Sequence, residues 1–252
     1  MIKASATSIS SSRVSIIIPT LQEEKLIVRV LEQFTSEMKQ RYNLEVIVSD
    51  GGSTDKTVEL ARKYSDIIIE QPETVRQNIS RGRNLGAKLA SGEIFIFLNA
   101  DTVIECPEHF FSTMIELAMD RRFVAATCSV LVYPEEERFT DRLFHNFFNW
   151  YFWLLNVVGM GMGRGECHVV SKSMFDKVGG YNETVAAGED YDLFLRLRRI
   201  GRIAFVRSLR VFESPRRYRR YGYIRISLLW FLNAFMVLFF HRSMLKEWEP
   251  IR

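Results

Sequence analysis

The chain has 252 residues, 47% hydrophobic and 25% charged, which is the composition of an ordinary globular domain with a substantial core. Its three cysteines are far apart and lack CxxC spacing, which excludes a disulfide framework or cysteine zinc site and favours reduced thiols in a cytoplasmic protein. The net charge of +4 conceals an asymmetry, because residues 196–252 carry +11. So basic a segment predicts an anionic partner, either phosphate, nucleic acid or an anionic membrane.

The first half of the chain alternates apolar runs with segments of helical periodicity. Residues 1–13 precede this pattern; they are small and polar, lack the apolar core of a signal peptide, and predict a disordered tail. The predicted strands are 14–18, 44–48, 66–70 and 94–98. The predicted helices are 23–42, 57–64 and 80–92. Strands that alternate with helices at this spacing predict an α/β layer with a mostly parallel sheet.

Polar residues directly follow three of these predicted strands. The three clusters are Pro19-Thr20, Asp50-Gly51-Gly52 and Asn99-Ala100-Asp101. Because the ligands of parallel sheets bind beyond the carboxyl ends of the strands, we expect the clusters to line one cleft. Asp50 and Asp101 in that position suit a hard divalent cation that also binds substrate phosphates. The competing interpretation makes Asp101 the N-cap of a helix predicted near Pro107.

The second half of the chain is less regular and contains a long uncharged segment. Residues 143–163 hold no Asp, Glu, Lys or Arg and are rich in Phe, Trp and Tyr. The predicted elements of this half are strands at 123–132, 166–171 and 202–212, a helix and turn at 172–181, and a helix at 188–201. The four histidines show no ligand spacing and are interpreted as structural: His109, His145, His168 and His241.

The predicted helix 188–201 places its carboxylates on two faces. Asp190 shares a face with the apolar stripe at the helix N-terminus, whereas Asp192 lies on another face and pairs with Arg196. We interpret Asp192 as a solvated partner of Arg196, and Asp190 as a carboxylate able to accept a proton from a hydroxyl nucleophile. In the alternative, Glu189 and Asp190 only complement the helix dipole.

Basic residues occur in two positions that suit an anionic ligand. Arg81 and Arg83 open the helix before strand 94–98, where guanidinium groups at a helix N-terminus form a good diphosphate site; a solvated charge pair is the alternative. The basic stretch 216–225 precedes the apolar run 226–240, which is short for a membrane span. We favour interfacial helices on an anionic membrane, and packing as core or at a dimer interface is the alternative. The arginines expected to face the lipid are Arg216, Arg217, Arg219 and Arg220.

Four sequence blocks occur in the order and spacing of a known family. They are "VSIIIPTLQEE", "VSDGGSTDKT", "RGRNLGAKLASGEIFIFLNADT" and "VGGYNETVAAGEDYDLFLRLRRIG". Together they resemble the successive blocks of family 2 glycosyltransferases over residues 13–215. The resemblance implies the GT-A fold, a Rossmann-like α/β/α layer with a mostly parallel mixed sheet. It also implies transfer of a sugar from a nucleotide diphosphate sugar, by single displacement with inversion at the anomeric carbon.

The resemblance further implies roles for individual residues. Those matched to binding of the nucleotide-sugar donor are Pro19, Thr20, Glu23, Asp50, Arg83, Asn99, Ala100 and Glu189. Within this set, Asp50 matches an aspartate that contacts the base, and Arg83 matches an arginine near the ribose and diphosphate. Asp190 matches the general base that deprotonates the acceptor.

The metal motif of the family is matched incompletely. Asn99-Ala100-Asp101 stands in place of Asp-x-Asp, so Asp101 is the implied ligand of Mg²⁺ or Mn²⁺ and Asn99 is a weaker one. Many members place a histidine ligand after the Glu-Asp helix, where this chain reads "VFESPRRYRRYG" and offers Glu213 as a substitute. Alternatively, the diphosphate is clamped directly by two arginines of this stretch, Arg216 and Arg217.

The expected organisation is a tail at 1–13, a GT-A domain at 14–215 and a basic, apolar helical segment at 216–252. The expected partners are a nucleotide-sugar donor, a lipid-linked acceptor, an anionic membrane on its cytoplasmic face and a second copy in a homodimer; nucleic acid is not expected. Two alternatives stay open. Nucleotidyl transfer onto a sugar phosphate calls for a Gly-rich phosphate loop, which "PTLQEE" is not. The other alternative is a non-catalytic module that binds nucleotide-sugars.

Overall fold

The computed structural model describes residues 12–72, 78–185 and 187–240, which contain one sheet of eight strands. The strands are β1 Val14–Thr20, β2 Leu44–Asp50, β3 Ile67–Glu70, β4 Ile94–Leu98, β5 Val103–Ile104, β6 Phe123–Val132, β7 Cys167–Ser171 and β8 Arg202–Glu213. The predicted tail falls mostly on residues 1–11, outside the described residues, and so do His241 and the end of the predicted C-terminal segment.

The sheet is mixed, with a parallel half that carries the predicted polar rim. Its strand order is β3-β2-β1-β4-β7-β6-β8-β5. Strands β1 to β4 pair in parallel, and the register sets Thr20 beside Asp50 at their common edge. Strand β7 runs antiparallel to both β4 and β6, and β6 then pairs in parallel with β8. The predicted α/β layer with a mostly parallel, mixed sheet is confirmed.

Ten helices connect or follow the strands in the part of the chain that the structure describes. They are α1 Ile27–Leu31, α2 Ser36–Tyr42, α3 Thr57–Ala61, α4 Ile79–Leu89, α5 Pro107–Met119, α6 Phe139–Val157, α7 Lys172–Lys177, α8 Glu189–Arg198, α9 Arg216–Tyr221 and α10 Tyr223–Phe240. The single helix predicted at 23–42 is wrong. Thr35 has an extended backbone there, and its hydroxyl accepts a hydrogen bond from the Met38 N–H, so it begins a second helix.

The core lies on both faces of the sheet, which explains why its strands read as continuous apolar runs. Every residue of β1, β2 and β4 is buried. Helices α1, α2 and α5 cover one face, while α4, α7 and α8 cover the other. The stripe predicted for α8 is confirmed, because Leu193, Phe194 and Leu197 are fully buried against the sheet.

Helices α6 and α10 pack against each other through aromatic rings at one end of the sheet. The Trp230 ring lies 5.2 Å from the Phe148 ring and 5.8 Å from the Phe144 ring. Along the described chain, no helix is both long enough and apolar enough to cross a membrane.

Candidate active site

A cleft of about 850 Å³ opens at the carboxyl ends of β1, β2 and β4. Its walls bring together nearly all the residues that the sequence predicted, from strand ends, helix starts and the C-terminal helices. They are Pro19, Thr20, Glu23, Arg83, Asn99, Ala100, Asp101, Glu189, Asp190, Glu213, Arg216 and Arg217. The single cleft predicted from three strand ends is therefore present.

Asp50 builds the turn that follows β2. Its carboxylate accepts hydrogen bonds from the N–H groups of Gly52 and Ser53 at 2.9 and 2.7 Å, and from the Thr20 hydroxyl at 3.0 Å. Asp50 itself is buried, and the residues of this turn that line the cleft include Gly51 and Gly52. The structure thus shows Asp50 ordering the turn, and its contact with a nucleotide base stays a prediction.

Arg83 of α4 is completely buried beside the cleft. Its Nη1 donates to Glu189 Oε1 at 2.9 Å, and its Nη2 donates to Asn99 Oδ1 at 2.9 Å and to the Gly165 carbonyl at 2.6 Å. These bonds fix the guanidinium in place. The alternative of a solvated charge is wrong for Arg83, and Arg81 does not line the cleft.

Arg216 of α9 crosses the cleft to two carboxylates. Its Nη1 and Nη2 donate to the two carboxylate oxygens of Glu23 at 2.8 and 2.6 Å, which is a bidentate pair. The same Nη2 lies 3.3 Å from Asp101 Oδ2. We call this arrangement of Glu23, Arg216 and Asp101 the Arg216 bridge.

Asp101 faces the cleft and does not cap a helix. Helix α5 begins at Pro107 after Cys106, which makes no side-chain cap, so the capping interpretation is wrong. The Tyr133 hydroxyl donates to the Asp101 carbonyl at 2.5 Å and steadies the backbone there. Burial raises the pKa of Asp101 to about 6, against the opposing charge of Arg216. The Arg216 charge alone therefore does not offset the cost of burying the ionised carboxylate, and a second positive partner would stabilise it further.

Helix α8 begins with two carboxylates of different environment. Glu189 is buried on Arg83, whereas Asp190 is partly exposed to the cleft. Burial and the neighbouring Glu189 charge raise the pKa of Asp190 well above its ordinary value, and Arg83 opposes them.

Asp192 pairs with Arg196 as predicted, at 2.6 Å, but Asp192 is buried, so its predicted solvation is wrong.

Arg164 organises the far wall of the cleft, and sequence reasoning missed it. Its Nη2 donates to Glu213 Oε1 at 2.7 Å, and the Tyr218 hydroxyl donates to the same oxygen at 2.7 Å. Burial and the Arg164 charge lower the pKa of the adjacent His145, which supports its structural interpretation. The available signal was position, because Arg164 is the first charged residue after the uncharged segment 143–163.

Two carboxylates of the cleft, Asp101 and Glu23, have the chemistry to hold a divalent cation. Among the described residues, no three His, Cys, Asp or Glu side chains form a metal-binding group. All the candidate oxygens have arginine partners, because Asn99 accepts from Arg83 and Glu213 accepts from Arg164. Asp101 and Glu23 share one partner atom, Arg216 Nη2, at 3.3 and 2.6 Å, so their oxygens lie close together. Two carboxylates with this convergence suit Mg²⁺ or Mn²⁺ completed by water and phosphate oxygens.

Comparison with known proteins agrees with this geometry. The family model "Glycosyl transferase family 2" matches residues 15–179, which is more than half of the chain. The chain belongs to this family. A family relative from Methanococcus voltae is "Dolichyl N-acetyl-alpha-D-glucosaminyl phosphate 3-beta-D-2,3-diacetamido-2,3-dideoxy-beta-D-glucuronosyltransferase", 35% identical over 107 residues. That match covers 41% of this chain and 33% of the relative, so this chain spans about a third of the length of the relative.

Solved structures show the GT-A glycosyltransferase fold. "Mannosyltransferase PcManGT from Pyrobaculum calidifontis in complex with GDP-Man and Mn2+" superposes with a TM-score of 0.64 at 21% identity, over 81% of this chain and 57% of that one. S. aureus TarS 1-349 in complex with UDP-GlcNAc superposes with a TM-score of 0.60 at 17% identity, over 90% of this chain and 73% of that one. At these identities the similarity establishes the fold of this family member.

Proposed function

We propose that this glycosyltransferase family 2 member transfers a sugar from a nucleotide diphosphate sugar to an acceptor hydroxyl, in a single displacement that inverts the anomeric carbon. The observation that carries the proposal is that Asp190 and two guanidinium groups, Arg83 and Arg216, are placed around one cleft at the carboxyl ends of the parallel strands. A single displacement needs both a base for the acceptor and positive charge for the leaving group.

Asp190 is the proposed general base. It lies at the first turn of α8, and its side chain is accessible to a ligand in the cleft. Its raised pKa makes it a stronger proton acceptor than an ordinary aspartate. The acceptor oxygen would transfer its proton to Asp190 while it bonds to the anomeric carbon, and the bond to the diphosphate oxygen would break.

The diphosphate leaving group is the proposed partner of the arginines. Arg83 lies beside Asn99 in the floor, and Arg216 and Arg217 line the opposite wall. Fixed positive charge near the departing oxygen stabilises the negative charge that grows there. A divalent cation held by Asp101 and Glu23 would add charge neutralisation at the same diphosphate.

Two solved complexes support this choice of donor, and one of them supports the choice of cation. PcManGT is described with GDP-Man and Mn2+, and TarS 1-349 with UDP-GlcNAc. Both ligands are nucleotide diphosphate sugars, and both proteins share the fold of this chain. We extend that donor class, and the use of Mg²⁺ or Mn²⁺, to this protein as part of the proposal.

The proposed acceptor is lipid-linked and reaches the cleft at the cytoplasmic face of an anionic membrane. Helices α6 and α10 expose large apolar side chains, including Phe147, Trp150, Leu228 and Phe231. Trp230 on α10 and Phe152 on α6 line the cleft itself, so both helices contribute to its wall. The named dolichyl-linked substrate of the Methanococcus voltae relative supports this class of acceptor.

The decisive test is a binding and product experiment. Thermal unfolding with a panel of UDP- and GDP-sugars and Mn²⁺ should show a higher Tm for the donor, since a ligand at 100 times its Kd stabilises by about 2.7 kcal/mol. The transfer reaction, run with a membrane extract as the source of acceptor, should release nucleoside diphosphate. Proton NMR of the glycosylated product should show that the anomeric configuration is inverted relative to the donor. A parallel reaction with UTP or GTP and a sugar 1-phosphate tests the alternative, because pyrophosphate released there would indicate nucleotidyl transfer. Binding of every donor without turnover in either reaction would indicate a binding module.

A further inference from the structure

The Arg216 bridge places a guanidinium between the two carboxylates proposed to hold a cation. Arg216 Nη2 lies 2.6 Å from Glu23 Oε1 and 3.3 Å from Asp101 Oδ2. The side chains of Arg216, Glu23 and Asp101 are only 24%, 8% and 15% exposed. Charges in so restricted a volume are weakly screened by water, so a second cation near the guanidinium would be strongly repelled.

We infer that Arg216 is an exchangeable counter-cation of the donor site. In the donor-free protein its single charge compensates half of the charge of Glu23 and Asp101 and opposes binding of a divalent cation. When a nucleoside diphosphate binds, the guanidinium moves to the diphosphate oxygens, and the freed carboxylates accept the cation. The inference rests on the proposed function and predicts that nucleotide and cation bind together, each strengthening the other.

The chemistry of the two partners permits this exchange. A diphosphate presents paired oxygens that accept a guanidinium in the same bidentate manner as Glu23. Two carboxylates with a divalent cation are balanced in charge, as is a diphosphate with arginines around it. One guanidinium leaves an excess negative charge on the two carboxylates, whereas a divalent cation balances both. Exchange therefore leaves the carboxylates fully compensated and gives the guanidinium a new anionic partner.

The anchoring of α9 confines the movement to the Arg216 side chain. Tyr218 is buried, and its hydroxyl donates to Glu213 at 2.7 Å. Arg219 Nη1 donates to Asp141 at 2.6 Å. These contacts hold the helix on the protein, whereas Arg216 is partly exposed to the cleft. Arg83, by contrast, is fully buried and bonded to a backbone carbonyl, so it is not placed to exchange.

The test measures Mn²⁺ binding by electron paramagnetic resonance of the free ion, on the whole chain and without any sugar donor. Wild type should bind Mn²⁺ weakly, and Arg216→Gln should bind it on the order of tenfold more tightly. Adding UDP or GDP, in separate titrations corrected for Mn²⁺ bound by the nucleotide alone, should tighten Mn²⁺ binding by wild type on the order of tenfold more than binding by Arg216→Gln, in which only the phosphate ligands add affinity. Arg216→Lys, which keeps the charge, and Arg220→Gln, an exposed arginine of the same helix, should each behave as wild type in the nucleotide-free titration.

The outcomes separate this inference from the proposed function. Equal Mn²⁺ affinity of wild type and Arg216→Gln without nucleotide overturns the inference, and so does failure of both proteins to bind Mn²⁺. If transfer is absent but Arg216→Gln gains Mn²⁺ affinity, the counter-cation role stands and the proposed function fails. Circular dichroism and the melting curve of Arg216→Gln check that the variant is folded, and Asp101→Asn in the Arg216→Gln background should abolish the gained affinity.

Discussion

Two of the carboxylates that line the cleft, Asp190 and Asp101, have different neighbours and are suited to different tasks. Asp190 has its pKa raised by burial and by Glu189, and it faces the space where an acceptor would lie. Asp101 has its pKa raised to about 6 by burial and is held by Arg216. The sequence predicted both positions from strand and helix ends. It also named Arg83 and Arg216 as site residues, but it could not predict that Arg83 pairs with Glu189 or that Arg216 pairs with Glu23 and Asp101, because these partners are remote in the chain.

Asp190→Asn should separate binding from catalysis. The amide cannot accept the acceptor's proton, so the transfer rate should fall by about 10² to 10⁴-fold. Affinity for the nucleoside diphosphate, measured by calorimetry, should change by less than about twofold. Asp192→Asn on the same helix is the matched control, because Asp192 pairs with Arg196 away from the cleft and should keep transfer. A near wild-type rate in Asp190→Asn would show that another group is the base.

Transfer should depend on pH through the same carboxylate. A base must be deprotonated to act, and the pKa of Asp190 is raised well above the ordinary value of an aspartate. The value of kcat/KM should therefore rise with pH through that elevated pKa and level off above it. A profile already flat from pH 5 upward would contradict the assignment. Product inhibition is avoided by measuring initial rates.

Asp101→Asn should stabilise the fold. The folded protein holds the Asp101 proton with a pKa of about 6, above the unfolded value of about 3.9. Stability from this group is therefore greatest below about pH 4 and falls as pH rises to about 6. At pH 7.5 the amide should raise the free energy of unfolding by about 1 to 3 kcal/mol. Urea denaturation at pH 4, 6 and 7.5 measures this, with the exposed Asp176→Asn as control. A less stable Asp101→Asn at pH 7.5 would show that its pair with Arg216 outweighs its burial.

At the scale of elements, the strand order of the sheet cannot be predicted from local sequence alone. The parallel strands β1 to β4 followed from alternating apolar runs and helices. Strand β7 was predicted as a strand, but its antiparallel place between β4 and β6 was not, because it depends on pairing between distant residues such as Phe97 and His168. The split of the helix predicted at 23–42 depends on the cap at Thr35, which apolar periodicity does not reveal.

The packing of α4 on β1 gives a stability prediction. Gly86 lies so close to the sheet that an added Cβ would stand 2.4 Å from Ile17 Cγ2. Gly86→Ala should therefore force α4 outward and lower the free energy of unfolding by about 1 to 3 kcal/mol, despite the better helix propensity of alanine. Leu89→Ala, at an exposed site of the same helix, should change it by less than about 0.5 kcal/mol. Chemical denaturation compares the two; a stabilised Gly86→Ala would mean that the interface yields.

At the scale of the whole molecule, the C-terminal helices complete the cleft. The sequence predicted a boundary near 215, yet Glu213 before it and Arg216 after it line the same cleft. Asn233 of α10 also lines it and donates to the Ala187 carbonyl at 2.8 Å. The expectation that Arg216 faces lipid is wrong, because it binds Glu23, and Arg219 binds Asp141 in the same way. Composition showed a basic segment but not which of its charges the protein itself neutralises.

Helices α6 and α10 share an exposed apolar face. Leu228 and Phe231 on α10 are 58% and 45% exposed, and Arg225 beside them is exposed as well. Apolar side chains next to a positive charge suit the boundary of an anionic bilayer, where area burial and charge attraction act together. The intact protein should therefore co-sediment with phosphatidylglycerol vesicles at low salt and less in high salt. The double variant Leu228→Glu, Phe231→Glu should lose vesicle binding, while Leu89→Glu, equally exposed on α4, should keep it. If wild type ignores the vesicles and sediments as a dimer that the double variant dissociates, the face is an interface between copies and the membrane proposal fails.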